Sequence, residues 1–126
     1  MTDIRTLVDA FADMILTGTL DTVDAHLTPG AVVWHNSDRK DVDARENMVS
    51  VAMLGQLVSD VSFEERYCSA TAEGFVLQFA IHGTVRSGGA PFAMENCVVV
   101  TTDGGKMARI EEYVDPTVGA QLTGGG

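Results

Sequence analysis

Phe92-Ala93-Met94-Glu95-Asn96-Cys97-Val98-Val99-Val100-Thr101-Thr102-Asp103-Gly104-Gly105-Lys106-Met107-Ala108-Arg109-Ile110-Glu111-Glu112-Tyr113-Val114-Asp115 is the stretch on which the fold turns. Its middle, Asp103-Gly104-Gly105-Lys106, reads as a hairpin turn, because paired glycines reach the positive φ that two-residue turns need. The flanks, Phe92 to Thr102 and Lys106 to Asp115, are then antiparallel strands. If Asp103 faces Lys106, paired positions add up to a constant, so Cys97 falls opposite Glu112, Val99 opposite Ile110 and Glu95 opposite Val114. These six share one face, and Asn96, Val98, Arg109, Glu111 and Tyr113 take the other. The first face is the more apolar near the turn and is assigned to the interior. That carries Glu112 inward with Glu95 near it; a one-residue slip would exchange Glu112 for Glu111. A carboxylate so placed is costly unless paired or protonated, and desolvation raises its pKa.

Upstream of the hairpin, two further runs keep the period of two. Val61, Phe63, Glu65 and Tyr67 alternate with polar neighbours, and Phe75, Leu77, Phe79 and Ile81 alternate with Val76, Gln78, Ala80 and His82. The second alternation puts His82 away from the more hydrophobic face. Before residue 60 the period is helical. Ile4, Leu7, Val8, Phe11, Met14 and Ile15 draw one apolar stripe, capped by Thr2 or Asp3 and ended by Gly18. A second short helix spans about Leu20 to Leu27, stopped by Pro29-Gly30, and a third about Ala44 to Val58, with Met48, Val51, Ala52 and Leu54 inward. Ala31 to Asn36 is β-branched and aromatic and reads as a strand, and Ser37 to Asp43 as a loop. Val33 and His35 face one way on that strand; Val32, Trp34 and Asn36 face the other. Asp115 caps the turn before Pro116. Helix, helix, strand, helix and four strands make an α+β fold, with helices on one face of a mainly antiparallel sheet.

The 126 residues fit a single domain, placed at 1–118, followed by a flexible glycine-rich tail at 119–126. Eighteen acidic against eight basic side chains give a net charge of -10, which repels phosphate backbones and anionic lipid and argues against nucleic-acid and membrane partners. No apolar run approaches the roughly 20 residues of a membrane span, and the N-terminus has no secretory pattern. Cys68 and Cys97 have no metal-ligand spacing and read as reduced thiols of a cytoplasmic protein. Met48, Met53 and Met94 read as core filler. His35, with an unperturbed pKa of about 6.5, suits acid/base work.

Three stretches together resemble a known superfamily: Gly18-Thr19-Leu20-Asp21 after the first helix, Leu27-Thr28-Pro29-Gly30-Ala31-Val32-Val33-Trp34-His35-Asn36, and Gly105 to Asp115. They look like the nuclear transport factor 2-like domains, especially the SnoaL-like branch. The resemblance implies a curved sheet wrapped around a conical pocket closed by the N-terminal helices, a cystatin-like cone, dimerising through the sheet. It includes ketosteroid isomerases, limonene epoxide hydrolases, scytalone dehydratases, polyketide cyclases and non-catalytic ligand binders, so fold alone does not give function.

Matched residue by residue, the isomerase tyrosine falls at Phe11, its general base at His35 and its protonated acid at or near Cys97. Phe11 cannot donate and a thiol donates weakly, which argues against that mechanism. The epoxide hydrolase pattern matches at Glu112, and Trp34 and Asn36 match its tyrosine and asparagine only in a shifted register. Its arginine and first carboxylate are missing around Gln78 to Ile81. The dehydratase and cyclase pattern, a histidine with a carboxylate in an apolar pocket, fits His35 with Glu112, and His82 could be a second histidine. Glu95 lines the pocket by parity, or lies on the surface if its strand carries a bulge.

The resulting expectation is a small-molecule enzyme needing no metal or organic cofactor. His35 and Glu112 would be its catalytic pair, with Glu95, Cys97, Phe11, Trp34, Asn36 and His82 around a mostly apolar carbonyl- or hydroxyl-bearing substrate. Cyclisation, dehydration or isomerisation suits that pair. The alternatives are a non-catalytic ligand-binding or dimeric assembly domain, and an epoxide hydrolase-like enzyme.

Overall fold

The computed structural model describes residues 3–115, 117, 118 and 122. The expected tail, Leu122 apart, lies outside the described residues. Helix α1, Ile4–Thr17, starts at Asp3, whose side chain accepts from the Arg5 N–H. It ends at Gly18, whose φ of 73° permits a left-handed cap. Its apolar stripe buries Leu7, Val8, Phe11, Met14 and Ile15. Helix α2 is Asp21–Ala25, shorter than expected, because Leu27 opens strand β1, Leu27–His35. Pro29 and Gly30 do not stop the chain there. They lie where the pairing of β1 shifts register, between Leu27 and Val32, a place where a strand tolerates proline.

The polar stretch after His35 holds a further strand, β2, Asp41–Asp43, which pairs antiparallel with β1. Asp43 then caps α3, Ala44–Ala52, by accepting from the Glu46 N–H. The expected third helix is broken at Met53, and α4, Leu54–Leu57, is a separate turn. Strands β3, Val58–Ala70, β4, Gly74–Val85, β5, Pro91–Asp103, and β6, Lys106–Val114, complete the chain. Asp115 does cap the turn that follows, accepting from the Thr117 N–H at 2.9 Å.

The strands form one six-stranded sheet in the order β2-β1-β6-β5-β4-β3, antiparallel throughout except for the β1–β6 pair. The helices pack on one face, α1 against β3 and β4, and α3 against β1. The α+β class stands, but the conical barrel does not. The sheet is open and not curled into a cone, because its end strands, β2 and β3, are not hydrogen-bonded to each other. Closure would need a long partner at that edge, and β2 offers three exposed residues. The space beneath the helices is filled instead by Phe75, Phe79, Phe92, Leu7, Met14 and Ile81, all nearly inaccessible to water. Among the described residues no helix is long and apolar enough to cross a membrane.

Candidate functional site

The hairpin that fixes the site has the expected turn and an unexpected bulge. Gly104 and Gly105 take φ of 61° and 81°, and Asp103 faces Lys106. The pairing then slips by one, from Thr102 opposite Met107 to Thr101 opposite Arg109, leaving Ala108 as the extra residue. Beyond the bulge Val98, not Cys97, faces Glu112, while Val100 faces Ile110 and Cys97 faces Tyr113. The inner residues of β5 are therefore Phe92, Met94, Asn96, Val98 and Val100. Cys97, Val99 and Glu95 move to the outer face, a correction to the uniform pairing. Glu112 keeps its place beside Ile110 on the inner face, because the bulge displaces its partners and not its neighbours along β6.

β1 delivers the histidine. His35 is the last residue of the strand and sits directly beside Glu112 in the parallel β1–β6 register. Its Nε2 lies 3.5 Å from Glu112 Oε1, with both side chains mostly buried, at 20% and 16% exposure. The Asn96 side chain of β5 also favours the charged form of this carboxylate. Burial pushes the Glu112 carboxyl above the usual range; His35 and the Asn96 amide pull it down but do not prevail. The result is a carboxyl group that holds its proton more tightly than an exposed one and can still exchange it.

A cavity of about 200 Å3 opens on this carboxyl. Its walls are apolar, with Phe11, Ile15, Phe79, Ile81 and Met94 prominent, and its polar groups are Ser50, Asn96 and Glu112. Of the histidine–carboxylate pair only Glu112 reaches the wall. The aromatic side is rigid, since Phe79 stacks on Phe63 at 4.9 Å and meets Phe11 edge-on at 5.5 Å. The volume is below the roughly 300–1,000 Å3 of drug-sized sites, so only a compact molecule would fit.

The remaining sequence candidates lie elsewhere. Trp34 packs its ring against Tyr113 at 5.4 Å. Asn36 ties β1 to β6: its Oδ1 accepts from the Val114 N–H and its own N–H donates to the Glu112 carbonyl. Glu95 is exposed and forms a two-pronged ion pair with Arg66, at 2.6 and 2.9 Å, which holds its carboxyl below the usual range. Cys97 faces the same side, its thiol pushed up by partial burial. His82 is 44% exposed, 3.5 Å from Glu64. A second cavity of about 160 Å3, between α2 and α3, is bordered by Arg45, whose guanidinium is engaged by Asp24 and the Thr28 carbonyl. Among the described residues no three His, Cys, Asp or Glu side chains gather as metal ligands.

Asn96 and Ser50 are the polar wall residues that sequence reasoning missed. A signal for Asn96 was present: the even positions Phe92, Met94, Val98 and Val100 are more apolar than the odd ones, Ala93, Glu95, Cys97 and Thr101.

Several solved structures share the architecture. TsrD of Streptomyces laurentii is 16% identical with a TM-score of 0.78, over 96% of this chain and 94% of that one. IdmH of Streptomyces antibioticus, described as a proposed polyketide cyclase, is 16% identical with a TM-score of 0.77, over 97% and 99%. A protein of ketosteroid isomerase-like fold from Catenulispora acidiphila, in complex with trimethylamine, is 13% identical with a TM-score of 0.75, over 98% and 95%. At such identities the likeness is one of fold. No curated protein matches the sequence. The SnoaL-like domain matches residues 5–110, which include α1 from Arg5, the His35 strand and the hairpin as far as Ile110, short of Glu112. The chain belongs to the SnoaL-like domain family, within the nuclear transport factor 2-like fold.

Proposed function

We propose that the protein is a small-molecule enzyme that moves a proton at the cavity wall without an organic cofactor, in a cyclisation, dehydration or isomerisation. The observation that carries this is Glu112: a carboxyl group with a raised pKa, open to an apolar cavity on one side and backed by His35 on the other. A base tuned toward neutrality removes a proton next to a carbonyl more effectively than an exposed carboxylate, and excluded water strengthens the interaction. Glu112 is the group that would touch substrate. His35 would stabilise its charge and exchange a proton with it, a reversal of the roles expected from the sequence. The fold relatives include a proposed polyketide cyclase, which fits this class.

The test is hydrogen exchange into compact ketones and hydroxyketones in D2O, followed by proton NMR. Wild type should exchange the proton next to the carbonyl above background, and Glu112→Gln should slow that by about 10²–10⁴-fold. No exchange with any member of the panel would count against the reading.

A second reading, a ligand-binding domain without chemistry, draws on the small cavity and on the trimethylamine held by one fold relative. A native mass spectrum with a stoichiometric small molecule and no exchange activity would favour it. In either case we propose a homodimer formed through the outer face. There Tyr67, Gln78, Cys97 and Tyr113 lie in one row across four strands, and the two tyrosines are 54% and 43% exposed. Sedimentation of wild type against Tyr67→Asp/Tyr113→Asp should show dimer against monomer.

A further inference from the structure

Two spaces lie end to end on the inner face of the sheet. One is the cavity of about 200 Å3 at Glu112; the other is a closed void of about 10 Å3, room for roughly one water but walled by apolar side chains. On three strands the boundary between them falls between two inward neighbours. Phe79 borders the cavity and Leu77 the void, Asn96 the cavity and Val98 the void, Glu112 the cavity and Ile110 the void. Helix α1 repeats the division, with Ile15 at the cavity, Val8 at the void, and Phe11 bordering both, alone among the described residues. Phe11 is 6% exposed and meets Phe79 edge-on at 5.5 Å, and Phe79 in turn stacks on Phe63, so the ring is a fixed wall and not a gate. Glu112 stands close to that wall: it faces Val98, which faces Leu77 on the next strand, and both of those residues border the void. The open part of the cavity lies the other way, towards Met94 and Ile81. A carbonyl carbon held at the carboxyl therefore has room for a chain on one side and meets the Phe11 ring on the other.

We infer that Phe11 is the specificity-determining residue of the cavity: its ring blocks one side of the position beside Glu112, so the site takes a carbonyl compound with a methyl-sized group on that side and an aliphatic chain on the other. The inference rests on the reading of this cavity as the working site and fixes where the carbonyl lies in the molecule it accepts.

The experiment is an NMR titration with 2-heptanone and 4-heptanone, isomers of equal composition that carry a methyl or a propyl group on the shorter side of the carbonyl. A propyl group that cannot enter leaves two methylenes unburied, so 2-heptanone should bind wild type about tenfold more tightly. Phe11→Ala joins the two spaces and should bring the isomers within about twofold. Phe11→Leu, which keeps more of the packing, should at least halve the preference and serves if alanine disturbs the fold. Equal binding of the isomers to wild type, or a preference that survives the substitutions undiminished, overturns the inference, as does binding of neither isomer. D2O exchange judges the proton-transfer reading apart from this. Exchange without an isomer preference keeps that reading and ends the inference; a Phe11-dependent preference without exchange keeps the inference, for a binding site, and ends that reading.

Discussion

Glu112 and Glu95 stand on the two strands of one hairpin, and the sheet between them makes them different acids. Glu112 points inward, loses water, and holds its proton above the usual range despite His35 and Asn96. Glu95 points outward, keeps water, and is held below the usual range by Arg66. The sign of each shift follows from the face and not from the residue type. Under the proposed function the reactive carboxyl is the one on the inner face, while the outer face, with Arg66–Glu95 and Arg109–Asp41, carries solvated ion pairs of little energetic weight.

The largest effect should come from removing the inner wall. Phe79→Ala deletes a ring packed on Phe63 and Phe11 and should cost about 3–5 kcal/mol in chemical denaturation. Next comes the turn that sets the register. Gly104→Ala places a side chain at φ 61° and should cost about 1 kcal/mol, with the strands still paired by NMR.

The two acids should then part company in pH. Because the folded pKa of Glu112 is raised, its contribution to stability is present below its ordinary value of 4.5 and is lost as pH rises through the folded pKa. Glu112→Gln should therefore gain on wild type in melting temperature as pH climbs above 4.5, with the two converging in acid. The smallest effect belongs to Glu95→Gln, which should leave the melting temperature unchanged in high salt. A large loss there, or a pH-independent gap for Glu112→Gln, would dissolve the contrast between the faces.

Much of this was legible in the sequence, and the failures share a cause. Residues with a strong local signal came through: the stripe of α1, the glycine turn and the alternation of Phe75 to Ile81; the pairing of His35 with Glu112 was suggested by the family resemblance and not by a local pattern. What did not come through depends on pairing between strands. The bulge at Ala108 leaves no mark in composition, yet it exchanges Cys97 for Asn96 and sends Glu95 outside. Strand β2 reads as a polar loop because its three residues are exposed and gain their conformation from β1. The conical closure was carried over from relatives, and no run in this chain supplies a long partner at the β2 edge.

The most direct test is a carbon-13 NMR titration of the Glu112 carboxyl, in wild type and in His35→Ala. The Glu112 pKa should lie above 4.5 in wild type and rise further when His35 is removed, since the histidine is one of the groups holding it down. A Glu112 that titrates at or below 4.5, or that does not respond to the loss of His35, would contradict a coupled, desolvated acid at the cavity wall.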